Sequence, residues 1–154
     1  ELNNQGEHMS QVLTAFNQAG PEQFSQLICQ MAPYFSTINP EFIDLKPGYA
    51  EAKVAKCREI QNHIGTVHAI AMCNLAELVA GTLTDATIPE GARWIPKGMT
   101  VQYLAKAKTD LRGVATSEGI DFSESGDKVI RVDVFDTADT IVFHADITMD
   151  VRSS

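Results

Sequence analysis

The chain of 154 residues is long enough to bury one sizeable core and too short for two ordinary domains. Its composition, 44% hydrophobic and 21% charged, is that of a soluble globular protein, and no apolar run approaches the ~18 residues of a membrane span. The net charge of −8 disfavours nucleic acid as a partner, because phosphates require a concentrated basic surface. Without a signal-peptide pattern or a disulfide framework among its three cysteines, the chain is expected to be cytoplasmic.

Residues 1–9 are interpreted as a tag remnant or disordered tail, and residues 10–154 as a single domain with N-terminal helices over residues 10–38. Apolar side chains at three-and-four spacing predict helix over residues 10–35, and Gly20-Pro21 divides it into two short helices. A strand pair over residues 42–45 and 49–57 is predicted next, because a Lys46-Pro47-Gly48 turn separates two extended segments.

A long apolar segment follows at residues 67–83. A helix that is apolar on every side is buried on every side, so this segment predicts a central helix, with Thr66 as its cap.

After a loop at residues 85–91 the period changes from helical to two, which is typical of strands with one buried face. We expect a bulge at Gly113 and a solvent-exposed His144 on the polar face of the last strand. Four strands joined in a meander are predicted, at residues 99–108, 111–117, 130–134 and 141–151. The fold class is therefore α+β, an antiparallel sheet wrapped around one long central helix.

The central helix carries few polar side chains, and His68, Asn74 and Glu77 are among them. A buried, unpaired carboxylate costs several kcal/mol, so Glu77 requires a partner, a proton, a cavity or an interface. The step from His68 to Glu77 turns about 900° and rises roughly 13 Å, which places them on opposite sides of the helix. If both are catalytic, the site must combine His68 of one subunit with Glu77 of another. Asn74, three residues before Glu77, is expected on the Glu77 face.

The start of the same helix offers free backbone N–H groups around His68, Ala69 and Ile70. Such a site favours negative charge and can polarise a carbonyl group. A carboxylate facing it could activate water or attack directly.

Asn62, His68 and Glu77 fall at the relative spacing of the Asn, His-Gly-Gly and Asp of hotdog-fold acyl-CoA thioesterases of the phenylacetyl-CoA thioesterase type. Residues 62–71 resemble still more closely the hotdog branch called DUF4442. The resemblance implies a hotdog fold over residues 42–151 and assigns thioester hydrolysis at a site shared by two subunits. It implies that the backbone N–H of Ala69 or Ile70 polarises the carbonyl, that Asn62 positions substrate or water, and that Glu77 of the partner is base or nucleophile. His68 would orient the reacting group.

Two positions depart from the family pattern. Ala69-Ile70 stands where the family has two glycines, and Glu77 stands where it has Asp. The expected function is an acyl-CoA or acyl carrier protein thioesterase, working as a dimer or dimer of dimers without membrane or nucleic-acid partners. The alternatives are a non-catalytic acyl-thioester binding protein and a hotdog 3-hydroxyacyl-thioester dehydratase.

No separate cofactor is expected, since coenzyme A would be part of the substrate. Its phosphates could bind four basic side chains: Lys97, Lys106, Lys108 and Arg112. Ordinary solvent-exposed surface charge explains these four side chains equally well. A metal site is not expected, because His63 and His68 are not spaced i, i+4 and Glu77 faces away from them. Cys73 lies mid-helix among apolar neighbours, where a thiol is usually inert.

Overall fold

The computed structural model describes residues 10–154. The predicted tag or tail at residues 1–9 lies outside this range. The elements in chain order are α1 (Gln11–Ala19), α2 (Pro21–Met31), β1 (Glu41–Lys46), β2 (Tyr49–Val54), α3 (Ala69–Thr87), β3 (Arg93–Tyr103), β4 (Leu111–Thr116), β5 (Gly126–Phe135) and β6 (Ile141–Arg152). Short 3₁₀ helices occupy Pro33–Ile38 and Arg58–Ile60.

The N-terminal helices divide at Gly20-Pro21, which confirms the predicted break. Gly20 adopts φ +82°, a conformation that favours glycine, and Pro21 begins α2, where its missing N–H costs nothing. Ser25 of α2 accepts a hydrogen bond of 2.8 Å from the Phe42 backbone N–H and so attaches α2 to β1. The ring of Phe24 packs edge-to-face on that of Phe42 at 4.9 Å.

The six strands form one antiparallel sheet in the order β1-β2-β4-β5-β6-β3. The predicted meander is therefore wrong at one strand, because β3 pairs with β6 and leaves its other side unpaired, whereas β4 lies between β2 and β5. β3 also starts at Arg93, six residues before the predicted strand, and ends at Tyr103. Alternation identifies a buried face but not the strand that pairs beside it.

Helix α3 packs against all six strands, which gives the hotdog arrangement of a sheet wrapped around one long helix. Its side chains from Leu75 to Thr84 are buried apart from Glu77, as the all-apolar pattern predicts. Helix α3 runs to Thr87, four residues beyond the predicted end. No helix within residues 10–154 is long and apolar enough to cross a membrane.

The cap of α3 is His68, which corrects the prediction of Thr66. Thr66 and Val67 precede the helix in an extended segment: Val67 donates its N–H to Ala107 at 2.8 Å and forms a bridge with Gln61. These contacts hold the chain extended until His68, so the helix cannot start earlier.

Gly113 does not mark a bulge, as had been predicted, since it pairs regularly with Ala52 and Val134. A Cβ at this position would lie 2.9 Å from Cγ of Leu75 on α3. The glycine is required because helix and sheet approach closely at this point.

Candidate functional site

The start of α3 leaves one backbone donor available. The N–H of Ile70 donates to Nδ1 of His68 at 3.0 Å, and the N–H groups of Ala71 and Met72 both donate to the His68 carbonyl. In residues 10–154 the N–H of Ala69 has no acceptor. Of the two donors predicted for the carbonyl oxygen, Ala69 is therefore the one free to bind it.

His68 is fixed by the same cap. Because its Nδ1 accepts a hydrogen bond, that nitrogen carries no proton, and the neutral ring carries its proton on Nε2. The ring is exposed, and Nε2 remains able to donate to a bound group. This arrangement fits the predicted orienting role of His68.

Asn62 is engaged within its own loop. Its Oδ1 accepts from the N–H groups of Ile64 and Thr66, both at 3.1 Å, and its Nδ2 donates to the Thr66 hydroxyl at 2.7 Å. One N–H of the amide remains for another partner. The structure thus places Asn62 as an organiser of the turn that delivers the chain to α3, and its predicted contact with substrate or water stays a prediction.

A cavity of about 380 Å³, here called the cap cavity, opens beside the first turns of α3. It lies under the 3₁₀ helix Pro33–Ile38 and is lined by Tyr34, Thr37, Ile38, Glu59, Ile60, Gln61, His68, Ile70, Ala71 and Asn74. Asn74 therefore shares a cavity with His68, and Glu77 is not among the residues that line it. Asn74 lies one turn beyond Ile70 and Ala71 and about 60° from Glu77 around α3, so its predicted place near Glu77 stays a prediction.

Glu77 lines a second cavity, of about 330 Å³, here called the Glu77 cavity. Most of its lining is apolar and comes from α1, α2, the 3₁₀ helix that follows, α3 and the start of β3: Val12, Ile28, Met31, Ala32, Phe35, Leu78, Gly81, Thr82, Asp85, Trp94 and Pro96. Asp85 accepts a hydrogen bond from the Trp94 indole at 3.1 Å, whereas half-buried Glu77 has no hydrogen-bond or ion-pair partner in the described part of the chain. The Glu77 carboxylate is available for chemistry.

His68 and Glu77 thus line different cavities of the same chain. This agrees with the opposite faces that the helical period gives them. Glu77 lies on the flank of α3 toward β3: the thiol of Cys73, one turn before it, contacts Tyr103, and Gly81, one turn after it, lies against Trp94. The carboxylate therefore faces the side of the molecule where the sheet has its free edge.

Two of the four predicted phosphate-binding cations are engaged elsewhere. Lys97 forms a 2.8 Å ion pair with Asp127, which raises the pKa of the lysine. Arg112 lies 3.4 Å from Glu51 and 3.1 Å from Asp139, and its guanidinium covers the Phe135 ring.

Lys106 and Lys108 differ from these two cations. Both are exposed and have no ion-pair partner within residues 10–154. They flank Ala107, whose carbonyl accepts the Val67 N–H next to the α3 cap. Of the four, only these two are free cations near the start of α3.

The Cys73 thiol is disfavoured as a nucleophile. Burial raises the pKa of the Cys73 thiol, and the hydrogen bond with Tyr103 offsets only part of this rise. Because the net pKa is raised, the thiolate needed for attack is disfavoured. Among residues 10–154 no group of three His, Cys, Asp or Glu side chains could hold a metal ion.

His144 is not solvent-exposed as predicted. Only 17% of its side chain is exposed, because its ring lies between Asp133, at 2.8 Å from Nδ1, and Asp146, at 3.1 Å from Nε2. These contacts lie on the outer face of the sheet, away from α3. Alternation locates the face of a strand but does not reveal cross-strand partners.

Comparisons with known proteins agree with this architecture. The model of the family described as Domain of unknown function (DUF4442) matches residues 20–151. No curated protein matches the chain. A solved structural-genomics protein is 55% identical, with a TM-score of 0.86, over 94% of this chain and 97% of that chain.

More distant structures share the fold. A Pseudomonas aeruginosa protein of unknown function, named a probable thioesterase, is 22% identical with a TM-score of 0.74, over 84% of this chain and 93% of that chain. A thioesterase from Haemophilus influenzae is 14% identical with a TM-score of 0.74, over 85% of this chain and 90% of that chain. At these identities the likeness establishes the hotdog fold alone.

Proposed function

Because this chain belongs to the DUF4442 family and has the hotdog fold, we propose that it hydrolyses acyl thioesters of coenzyme A or acyl carrier protein. The observation that carries the proposal is Glu77, a half-buried carboxylate that lies in a largely apolar cavity and has no partner among residues 10–154. Placing a carboxylate in such surroundings without a partner costs stability, so a fold that keeps one there marks it as a candidate functional group. The family membership confirms the resemblance inferred from residues 62–71.

The free N–H of Ala69 polarises the thioester carbonyl and stabilises the oxyanion that forms when the carbonyl carbon is attacked. The dipole of the 19-residue helix α3 adds to this effect. His68 lies beside this donor with Nδ1 engaged by the Ile70 N–H, and its exposed ring can orient the reacting group through Nε2–H. In this proposal Glu77 takes a proton from water while the water oxygen bonds to the carbonyl carbon; the C–S bond then breaks and the thiolate takes up that proton. If Glu77 attacks the carbonyl carbon itself, the thiolate leaves from an acyl–Glu77 anhydride, which water then hydrolyses to the free acid and the carboxylate.

One chain cannot complete this site, because Glu77 is eight residues beyond Ala69, about 12 Å along α3, and lines a cavity to which Ala69 does not contribute. Glu77 of a partner subunit must supply the carboxylate. The free edge of β3 is the proposed contact, since this 11-residue strand is paired on one side only. Its apolar side chains Ile95 and Tyr103 are 63% and 57% exposed.

For the coenzyme A phosphates we propose Lys106 and Lys108, the two of the four candidates that lack ion-pair partners in the described chain. They lie near the cap of α3, where the thioester would be held. Arg112 and Lys97 would first have to leave their carboxylates.

A second candidate is an acyl-thioester binding protein without catalysis. It is favoured by one observation: the Ile70 N–H is occupied by His68, which leaves a single donor for an oxyanion. This candidate predicts saturable binding of an acyl-CoA without release of free thiol.

The test is a free-thiol assay with short, branched, aromatic and long acyl-CoAs. Wild type should release thiol from at least one, and Glu77→Gln, which keeps the shape and removes the base, should lower kcat by about 10²-fold or more. Asp44→Asn is the matched control, because Asp44 is also a half-buried acid but lies on β1 at the opposite edge of the sheet. Equal turnover by Glu77→Gln and wild type would exclude this mechanism.

A further inference from the structure

The cap cavity contains a buried polar atom that the protein leaves unsatisfied. Asn74 is only 8% exposed, and its Oδ1 has no hydrogen-bond partner among the described residues. Buried acceptors in native structures are almost always paired, so an orphan at a cavity wall indicates a position for a donor from outside.

The orientation of the Asn74 amide is set by its neighbour. The Thr37 hydroxyl donates its proton to the Tyr34 carbonyl at 2.8 Å, so towards Asn74 it can only accept. Asn74 Nδ2 donates to that hydroxyl at 3.1 Å. The amide oxygen is therefore the atom left free, and a ligand that satisfies it must carry an N–H or O–H group.

The lining of the cavity favours the acyl group over the coenzyme A arm. Ile38, Ile60 and Asn74 are each less than 9% exposed, so part of the wall consists of buried side chains. The rim carries the carboxylate of Glu59 and the lining holds no Lys or Arg, which disfavours phosphates. The free cations Lys106 and Lys108 are not among the lining residues.

The distance along α3 sets where the donor must lie. Asn74 is five residues beyond Ala69, about 7.5 Å along the helix axis. A thioester carbonyl held at the Ala69 N–H would therefore reach Asn74 through several bonds of its acyl chain. A volume of about 380 Å³ lies in the range of small-ligand pockets.

We propose that the cap cavity holds the acyl group, and that the Asn74 side chain turns on binding so that its Oδ1, buried in the free protein, accepts a hydrogen bond from a hydroxyl at the far end of that group. This inference rests on the proposed thioesterase function and names its substrate class, hydroxylated acyl thioesters. Asn74 is then a specificity-determining residue, because the analogue without the hydroxyl leaves the buried oxygen unpaired.

Matched substrate pairs test the proposal: butanoyl-CoA with ω-hydroxybutanoyl-CoA, and hexanoyl-CoA with ω-hydroxyhexanoyl-CoA. Wild type should favour the hydroxylated member of at least one pair by about tenfold or more in kcat/KM. In Asn74→Leu that ratio should fall to about one, since the acceptor is gone while the side-chain volume is nearly kept. Asn74→Ala serves as a second variant should Asn74→Leu fail to fold.

Thr84→Val is the control, because Thr84 is a fully buried polar residue of α3 whose hydroxyl bonds to the Ala80 carbonyl and lines neither cavity. Its substrate ratio should equal that of wild type. The proposal is overturned if wild type does not favour either hydroxylated substrate, or if Asn74→Leu lowers both members of a pair equally, as loss of a contact to the coenzyme A arm would do.

A binding measurement separates this proposal from the thioesterase assignment. If wild type releases no thiol from any substrate, the proposed function fails, and the inference is judged by nuclear magnetic resonance. The Asn74 side-chain amide signals should shift with ω-hydroxyhexanoyl-CoA more than with hexanoyl-CoA. Equal or absent shifts would overturn the inference.

Discussion

Ala69 occupies the first position of α3, where proline is tolerated because the N–H has no helical partner. His68 before it has φ −62° and ψ 138°, the extended conformation that a following proline requires. Ala69→Pro should therefore remove the proposed carbonyl donor without disturbing the fold. We expect kcat to fall by about 10²- to 10³-fold with an unchanged circular dichroism spectrum. Wild-type turnover by a folded Ala69→Pro would remove this N–H from the mechanism.

His144 should make stability depend on pH. Burial lowers the pKa of His144, but hydrogen bonds and charge interactions with Asp133 and Asp146 outweigh this, so the net pKa lies above the ordinary histidine value. When folding raises the pKa of a group, that group contributes its full stabilisation of the folded protein at pH values below its pKa in the unfolded chain. The stabilisation is lost as the pH rises through the pKa in the folded protein. The difference in unfolding free energy between wild type and His144→Gln should thus be largest at about pH 5.5 and shrink towards about pH 8.5. Urea unfolding at both pH values measures it, and a constant difference would contradict the prediction.

The residues of the candidate site are only partly readable from the sequence. The helical period separates His68 from Glu77 because it depends on neighbours along one helix. The occupation of Asn62 by its own loop, and the position of Asn74 in the cap cavity, depend on contacts with Thr66 and with the 3₁₀ helix Pro33–Ile38. A lone amide in an apolar helix is the one sequence signal that pointed to Asn74.

At the scale of elements, α3 and β4 meet where Gly113 faces Leu75. A methyl group at Gly113 would lie 2.9 and 3.1 Å from two carbons of Leu75, closer than packed atoms allow. Gly113→Ala should lower the free energy of unfolding by about 1–3 kcal/mol. Gly98→Ala on β3, where nothing lies within 4 Å, should change it by less than about 0.5 kcal/mol. Denaturant unfolding of both variants checks this, and equal effects would show that the close approach is not limiting.

Elements defined by local patterning are predicted well, and those that depend on distant partners are not. Gly20-Pro21 divides the N-terminal helices and the turn at Lys46-Pro47-Gly48 joins β1 to β2, because both signals are local. The place of β3 at the sheet edge is not predictable in this way, since its pairing with β6 is decided across some 50 residues of chain. The cap at His68 likewise depends on the distant contact of Val67 with Ala107.

At the scale of the whole molecule, the two edges of the sheet differ. β1 is six residues long and carries Glu41, Asp44 and Lys46, whereas β3 is 11 residues long and its apolar inner face is only half covered. Short length protects an edge from pairing, and the charges of β3, Arg93 and Lys97, lie in its first half, so the longer β3 is the edge suited to a second copy of the chain. Pairing there would bring the Glu77 flank of α3 towards the partner.

A shared site can be tested by mixing two inactive variants. Glu77→Gln keeps the Ala69 donor, and Ala69→Pro keeps the carboxylate. A heterodimer therefore contains one site with both groups and one with neither. After random exchange of subunits, half of the dimers are mixed and each has one of two sites intact, so activity should recover to about a quarter of wild type. Sedimentation shows that the exchanged species are dimers, and the free-thiol assay measures recovery. If heterodimers form and the mixture stays as inactive as its components, the shared site is contradicted, because each site must then take both groups from one chain. The separation of the two cavities along α3 would in that case argue against direct catalysis by Glu77.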